Sequence, residues 1–167
     1  MKKYLLILLL LVVKTITAHS QISKGNYYPN PENKKFEGKW ECILKKDTFT
    51  VILKSRKKLV KYIYVYNDFV VGEYYWKSKK MGDINSDNLL ENGIYAGACN
   101  KTEPRLLSAS FNDFLFDNTF ELSMHLIDSN TVSWTLFPRE QFNIGDGPFK
   151  DHTKSFLPKT IILKRKN

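Results

Sequence analysis

The side chains that could do chemistry are few and scattered. His152 stands beside Asp151, the pairing that orients an imidazole as a general base, yet no nucleophile motif such as Gly-x-Ser-x-Gly accompanies it. His125 lies apart, on the polar side of an alternating run with Glu121 and Ser123, where a solvated side chain is expected. No His-x-His, His-Glu-x-x-His or Cys-x-x-Cys spacing occurs, so neither a metal site nor a cofactor is expected. Asp113, Asp117 and Glu121 carry the carboxylates that glycoside hydrolysis uses in pairs, but turn and surface positions explain them equally well. Gly145-Asp146-Gly147-Pro148 is ordinary turn chemistry. These residues predict no enzyme.

Aromatic side chains are more informative. The chain has eleven Phe, nine Tyr and three Trp. Tyr62, Tyr64 and Tyr66 alternate along one run, Tyr74 and Trp76 follow in the next, and Trp134 stands in a later one. Aromatics at a barrel mouth bind apolar or glycan ligands through their ring faces, with tyrosine hydroxyls fixing orientation. For any single residue the plainer expectation is that strands and barrel cores simply use aromatics. The set as a whole is the candidate ligand-binding site.

The elements that must position these residues read as strands. Trp40–Leu44 opens the series, and Phe49, Val51 and Leu53 alternate with polar neighbours. Ser55–Lys58 reads as a basic turn into Leu59–Tyr66, and Asn67-Asp68 as a turn into Phe69–Trp76, where Gly72 suggests a bulge or bend. A polar connection spans 77–92. Ile94–Cys99 and Leu106–Phe111 follow, then the clearest hairpin, Phe120–Leu126 with Val132–Leu136 around Asp128-Ser129-Asn130. A long irregular segment, 138–158, leads to Thr160–Arg165. About eight or nine strands at this spacing predict an all-β antiparallel meander closing into a barrel, with a β-sandwich as the alternative.

Met1-Lys2-Lys3-Tyr4, the apolar run Leu5–Val13 and the small polar stretch to Ser20 have the layout of a signal peptide cut before Gln21. The run is too short to cross about 30 Å of hydrocarbon, so the protein is not expected to span a membrane. No Cys lies near the cut, which argues against a lipid anchor. The expected organisation is a signal peptide (1–20), a polar leader (21–35) lying over the domain without an element of its own, and the barrel domain (36–167). The expected location is the periplasm or outside the cell.

A chain of 167 residues with 26% charged and 43% hydrophobic residues suits one globular domain and not a disordered or fibrous one. Removing 1–20 takes Lys2, Lys3 and Lys14 and no acid, so the formal charge falls from +9 to +6. The remaining basic runs, Lys54–Lys58, Lys77–Lys80 and Lys164–Lys166, fall at predicted turns or the terminus. Converging on one side, they would attract an anionic envelope surface or an acidic polysaccharide. Nucleic acid is a poor partner, since no nucleic-acid motif is present and the chain is exported.

Two cysteines allow one disulfide, Cys42–Cys99. In a meander the first strand neighbours the second and the last, while Cys99 falls near the fifth. Bridging needs Cα atoms within about 4.4–6.8 Å. A simple barrel therefore predicts free thiols, and a bridge would mark a flattened barrel or sandwich.

Gly38-Lys39-Trp40, opening the first strand after an irregular leader, resembles the first motif of lipocalins and related calycin barrels. The Asp47–Leu53 strand and the Pro158–Leu163 ending extend the likeness to small secreted lipocalin-like bacterial proteins. The family's second and third motifs are not evident. The resemblance implies that Trp40 packs across the barrel bottom beside a basic side chain of the last strand, Lys164 or Arg165. It also implies a small apolar or amphipathic ligand inside the barrel. The alternative is an interaction or inhibitor module with a filled core, using loops 77–92 and 138–158.

Overall fold

The structure is a computed structural model, and it describes residues 25–61, 63–97, 102–139 and 153–166. Ten strands form one sheet: β1 (Tyr27–Tyr28), β2 (Gly38–Leu44), β3 (Asp47–Val60), β4 (Val65–Trp76), β5 (Lys79–Met81), β6 (Ile94–Ala96), β7 (Leu106–Asp113), β8 (Asn118–Asp128), β9 (Thr131–Pro138) and β10 (Thr160–Lys166). Eight of them close into an antiparallel barrel. β2, β3 and β4 pair in sequence, β4 pairs β6, the meander runs on through β10, and β10 returns to β2. Closure removes the sheet edges and decides against the sandwich. β1 adds to β4 in parallel, and β5 folds back on β4.

Alternation sets the two faces, as a period of two requires. Phe120, Leu122, Met124 and Leu126 of β8 face inward beside Leu136, Trp134 and Val132 of β9. On β2, Trp40 and Cys42 face inward opposite Val51 and Phe49. Gly72 is neither bulge nor bend. It lies in regular pairing with both Leu53 and Ile94, and an added Cβ would meet the Leu53 side chain at 2.6 Å and the Ile52 carbonyl at 2.9 Å. Close approach of β3 to β4 is the reason for glycine.

Two expectations are corrected. The basic run 54–58 does not turn the chain; β3 runs straight through it, and the reversal comes at 61–64. Its cations find partners far along the chain. Arg56 donates to the Ile84 carbonyl (3.1 Å), Lys58 to the Ser86 carbonyl (2.9 Å), and Lys57 sits 4.6 and 4.5 Å from the ring centres of Tyr27 and Tyr66. The leader also forms elements, β1 and a 3-10 helix at Pro31–Phe36. Asp68 anchors both, accepting from the Tyr27 hydroxyl (2.6 Å) and the Asn30 backbone (2.9 Å), while Asn33 donates to its carbonyl.

The segment between β5 and β6 covers the outer face of β3 and β4. Glu73, buried beneath it, pairs with Lys80 at 2.8 Å and accepts from the Tyr75 hydroxyl and the Ile84 backbone. Burial alone would raise this carboxyl; the Lys80 ammonium and the two other donors outweigh it and hold it below the usual range.

Candidate functional site

The predicted aromatic set divides. Tyr74 and Trp134 are buried in the barrel, where Phe49 lies 5.8 Å from Tyr74 and 5.7 Å from Trp134, and Phe111 lies 5.0 and 5.4 Å away. Phe156, from the segment before β10, closes this stack from one end. It contacts Phe49, Tyr74, Trp76 and Phe111 at 5.2–6.2 Å between ring centres. Trp76 is half-buried there. Tyr66 is half-buried at the opposite end under Lys57, and Tyr64, 56% exposed, lies in the 61–64 turn with φ 52°. Tyr62 falls outside the described residues. Tyr64 and Tyr66 do not share one strand face, because Tyr64 lies in the reversal and Tyr66 in β4. What the sequence offered as a ligand-lined mouth is, at Tyr74 and Trp134, a packed interior.

Gly38, Trp40 and Arg165 meet at the other end. The Arg165 guanidinium lies 4.2 Å from the Trp40 ring centre, and Trp40 Nε1 donates to the Phe36 carbonyl at 2.9 Å. Arg165 also donates to the carbonyls of Ser129 (3.0 Å), Lys35 (2.6 Å) and Glu37. Gly38 has φ 119°, and a Cβ there would sit 3.0 Å from Arg165 Nη1. Lys164, the other residue considered for this role, faces outward and donates to Thr131 Oγ1 at 2.8 Å. Trp134, by contrast, has a buried Nε1 with no hydrogen-bond partner.

Among the described residues, the remaining candidates stand apart from one another. Cys42 is a free thiol packed against the core, and burial pushes it up to about 11; Cys99 lies outside the described residues. So do Asp151 and His152. His125 is exposed on the outer wall. The Asp113 carboxylate is buried and binds Ser155 and Phe156, whereas Glu121 faces outward, so the two form no carboxylate pair. Among the described residues, no group of three or more His, Cys, Asp or Glu is arranged to hold a metal ion. The basic runs do not converge either. Lys77–Lys80 lie at the Phe156 end, while Lys164–Lys166 pair with β2 beside Trp40.

The outer wall carries a feature that alternation alone did not flag. Strand pairing sets Tyr95, Ser110, Glu121 and Phe137 in one row across β6, β7, β8 and β9. The next row holds Ser108, Ser123, Thr135 and Thr160, with the last two hydroxyls 3.4 Å apart. Tyr95, Ser110, Glu121 and Phe137 of the first row and Ser108 and Ser123 of the second, bordered by Phe69, Leu89 and Arg139, line a cleft of about 490 Å³, while Thr135 and Thr160 lie outside it. Small hydroxyls occupy the positions where a chain with 26% charged residues would ordinarily place lysine and glutamate. That substitution was the available signal, and it is visible only once the strands are set side by side.

A closed eight-stranded meander with Trp40 and Arg165 packed across one end is compatible with a lipocalin-like fold. The chain belongs to DUF6705, a family of unknown function whose model matches residues 1–166. No curated protein and no solved structure matches it. Among the described residues no helix is long and apolar enough to cross a membrane.

Proposed function

We propose that this protein is an exported binding module that takes its ligand on the outer wall, in the Tyr95–Phe137 cleft, and not inside the barrel. The observation that carries this reading is the filled interior: Phe49, Tyr74, Phe111 and Trp134 interlock, and Phe156 lies across them. A ligand inside would have to displace rings whose burial stabilises the fold. The outer cleft offers aromatic rings, a row of hydroxyls, and one acid with one base. That mixture suits an uncharged polyhydroxylated chain, a glycan, which presents apolar ring faces and hydroxyls together. Its near-neutral lining, in a cationic protein, argues against a strongly charged ligand. The protein then acts by holding, with no turnover.

Binding to an array of oligosaccharides tests the reading, followed by calorimetry with the best of them. Tyr95→Ala and Phe137→Ala should each weaken binding by about tenfold or more while leaving the melting temperature close to that of the parent. An array without binders would overturn the proposal. So would stoichiometric uptake of a lipophilic probe that quenches Trp134, which would return the ligand to the interior.

A further inference from the structure

The barrel end closed by Phe156 also carries an apolar tip. Phe114, Leu115 and Phe116 form the turn between β7 and β8 and are 42%, 42% and 44% exposed. Turns ordinarily carry small polar residues, and contiguous exposed apolar side chains mark a contact surface. Buried polar groups hold this tip in shape. The Asp113 carboxylate, itself 1% exposed, accepts from the backbones of Leu115 (3.0 Å) and Phe116 (3.2 Å). It also accepts from Ser155 Oγ (2.9 Å) and the Phe156 backbone (3.2 Å). The Tyr74 hydroxyl accepts from the Phe114 backbone at 3.0 Å, and its ring stacks on Phe114 at 6.4 Å. Burying a carboxylate and a phenol is costly without such bonds. Two buried polar residues thus keep three apolar side chains outside.

Cations stand at the same end of the barrel, on turns of the strands across from the tip. In an up-and-down barrel the β2–β3, β4–β5 and β7–β8 turns fall at the same end. The first carries exposed Lys45 and Lys46; the second carries exposed Lys77, which has Asp47 at 3.6 Å. We propose that this end docks on an anionic lipid surface. Phe114, Leu115 and Phe116 enter the interfacial layer, and Lys45, Lys46 and Lys77 meet the headgroup phosphates. Apolar burial and electrostatic attraction together set the strength of such docking. A second copy of the chain fits less well, because a projecting tip needs a matching hollow in its twin for a two-fold contact.

Sedimentation with vesicles tests this on the mature chain, comparing pure phosphatidylcholine with equal parts phosphatidylcholine and phosphatidylglycerol. The parent should bind the anionic vesicles and lose that binding in high salt. Leu115→Ser with Phe116→Ser, which spares the Phe114–Tyr74 stack, should cut binding at least tenfold. Lys45→Gln with Lys46→Gln should cut it about fivefold for each charge removed. Circular dichroism checks that both variants fold. Equal binding to both vesicle types, no binding to either, or unchanged binding by the tip variant would each overturn the proposal. So would a concentration-dependent dimer that the tip variant abolishes.

Discussion

The two ends of the barrel are finished in opposite ways. At the Trp40 end, the polar atoms of the closing residues are paired. Trp40 Nε1 reaches the Phe36 carbonyl, and Arg165 covers the indole while donating to three carbonyls from two separate segments. At the Phe156 end, the paired polar atoms lie beneath the surface and the apolar side chains stand outside it. A guanidinium with several fixed acceptors ties the last strand to the segment before β2 and to the β8–β9 turn, so the first end is built for closure. An apolar tip held rigid by a buried carboxylate adds little to closure. The second end keeps surface for something other than its own core.

The largest effects should come from inside, and the two buried tryptophans sharpen the contrast. Trp40→Ala and Trp134→Ala should each cost about 3–5 kcal/mol, read by denaturant unfolding. The phenylalanine variants should separate them. Trp40→Phe loses the bond to Phe36 and leaves that carbonyl without its indole donor, whereas Trp134→Phe removes an N–H that has no partner. The first should be less stable than the second by about 1–2 kcal/mol. Equal values would mean that closure at the Trp40 end rests on packing alone.

Arg165→Lys comes next. Lysine keeps the charge and loses the planar fork, so the carbonyls of Lys35, Glu37 and Ser129 cannot all be reached from one ammonium. A loss of about 2 kcal/mol is expected, with retained β-sheet circular dichroism. At the opposite end Phe156→Ala should cost less, about 1–2 kcal/mol, because Phe156 is only half-buried. It should also open the ring stack, so that a lipophilic probe silent with the parent quenches tryptophan emission. Silence in both proteins would show that Phe156 does not guard the interior.

The closed end was the more legible one. Gly38-x-Trp40 and the last strand both lie in regular patterns, and the partner of Trp40 is one of two basic residues in that strand. Alternation likewise exposed the β8–β9 hairpin, because its two faces differ sharply in polarity. The path of β3 was hidden, since a run of lysines looks like a turn until Ile84 and Ser86, 28 residues away, supply carbonyls. Hidden for the same reason was the tip. Phe114–Phe116 fall between two periodic runs, and the groups that shape them include Tyr74, 40 residues earlier. Tyr74 and Trp134 were noticed as aromatics, but nothing local distinguishes a ring lining a cavity from a ring filling one. That depends on Phe156, which comes from an irregular segment.

The smallest stability effect should be at the tip itself, and it bears most directly on why the ends differ. Leu115 and Phe116 contribute backbone N–H groups to Asp113, and serine substitutions leave those donors in place. Their side chains remain substantially exposed, so little apolar contact is lost on truncation. Leu115→Ser with Phe116→Ser should therefore shift unfolding by about 0.5 kcal/mol or less, the range of surface substitutions. A cost of about 2 kcal/mol would instead place the tip in the fold's own packing and remove the reason to assign it a partner. A neutral result, beside the losses expected from Trp40 and Arg165, would mean that these apolar side chains are dispensable for folding. Their rigid presentation by Asp113 and Tyr74 would then have to serve contact with a surface outside the chain.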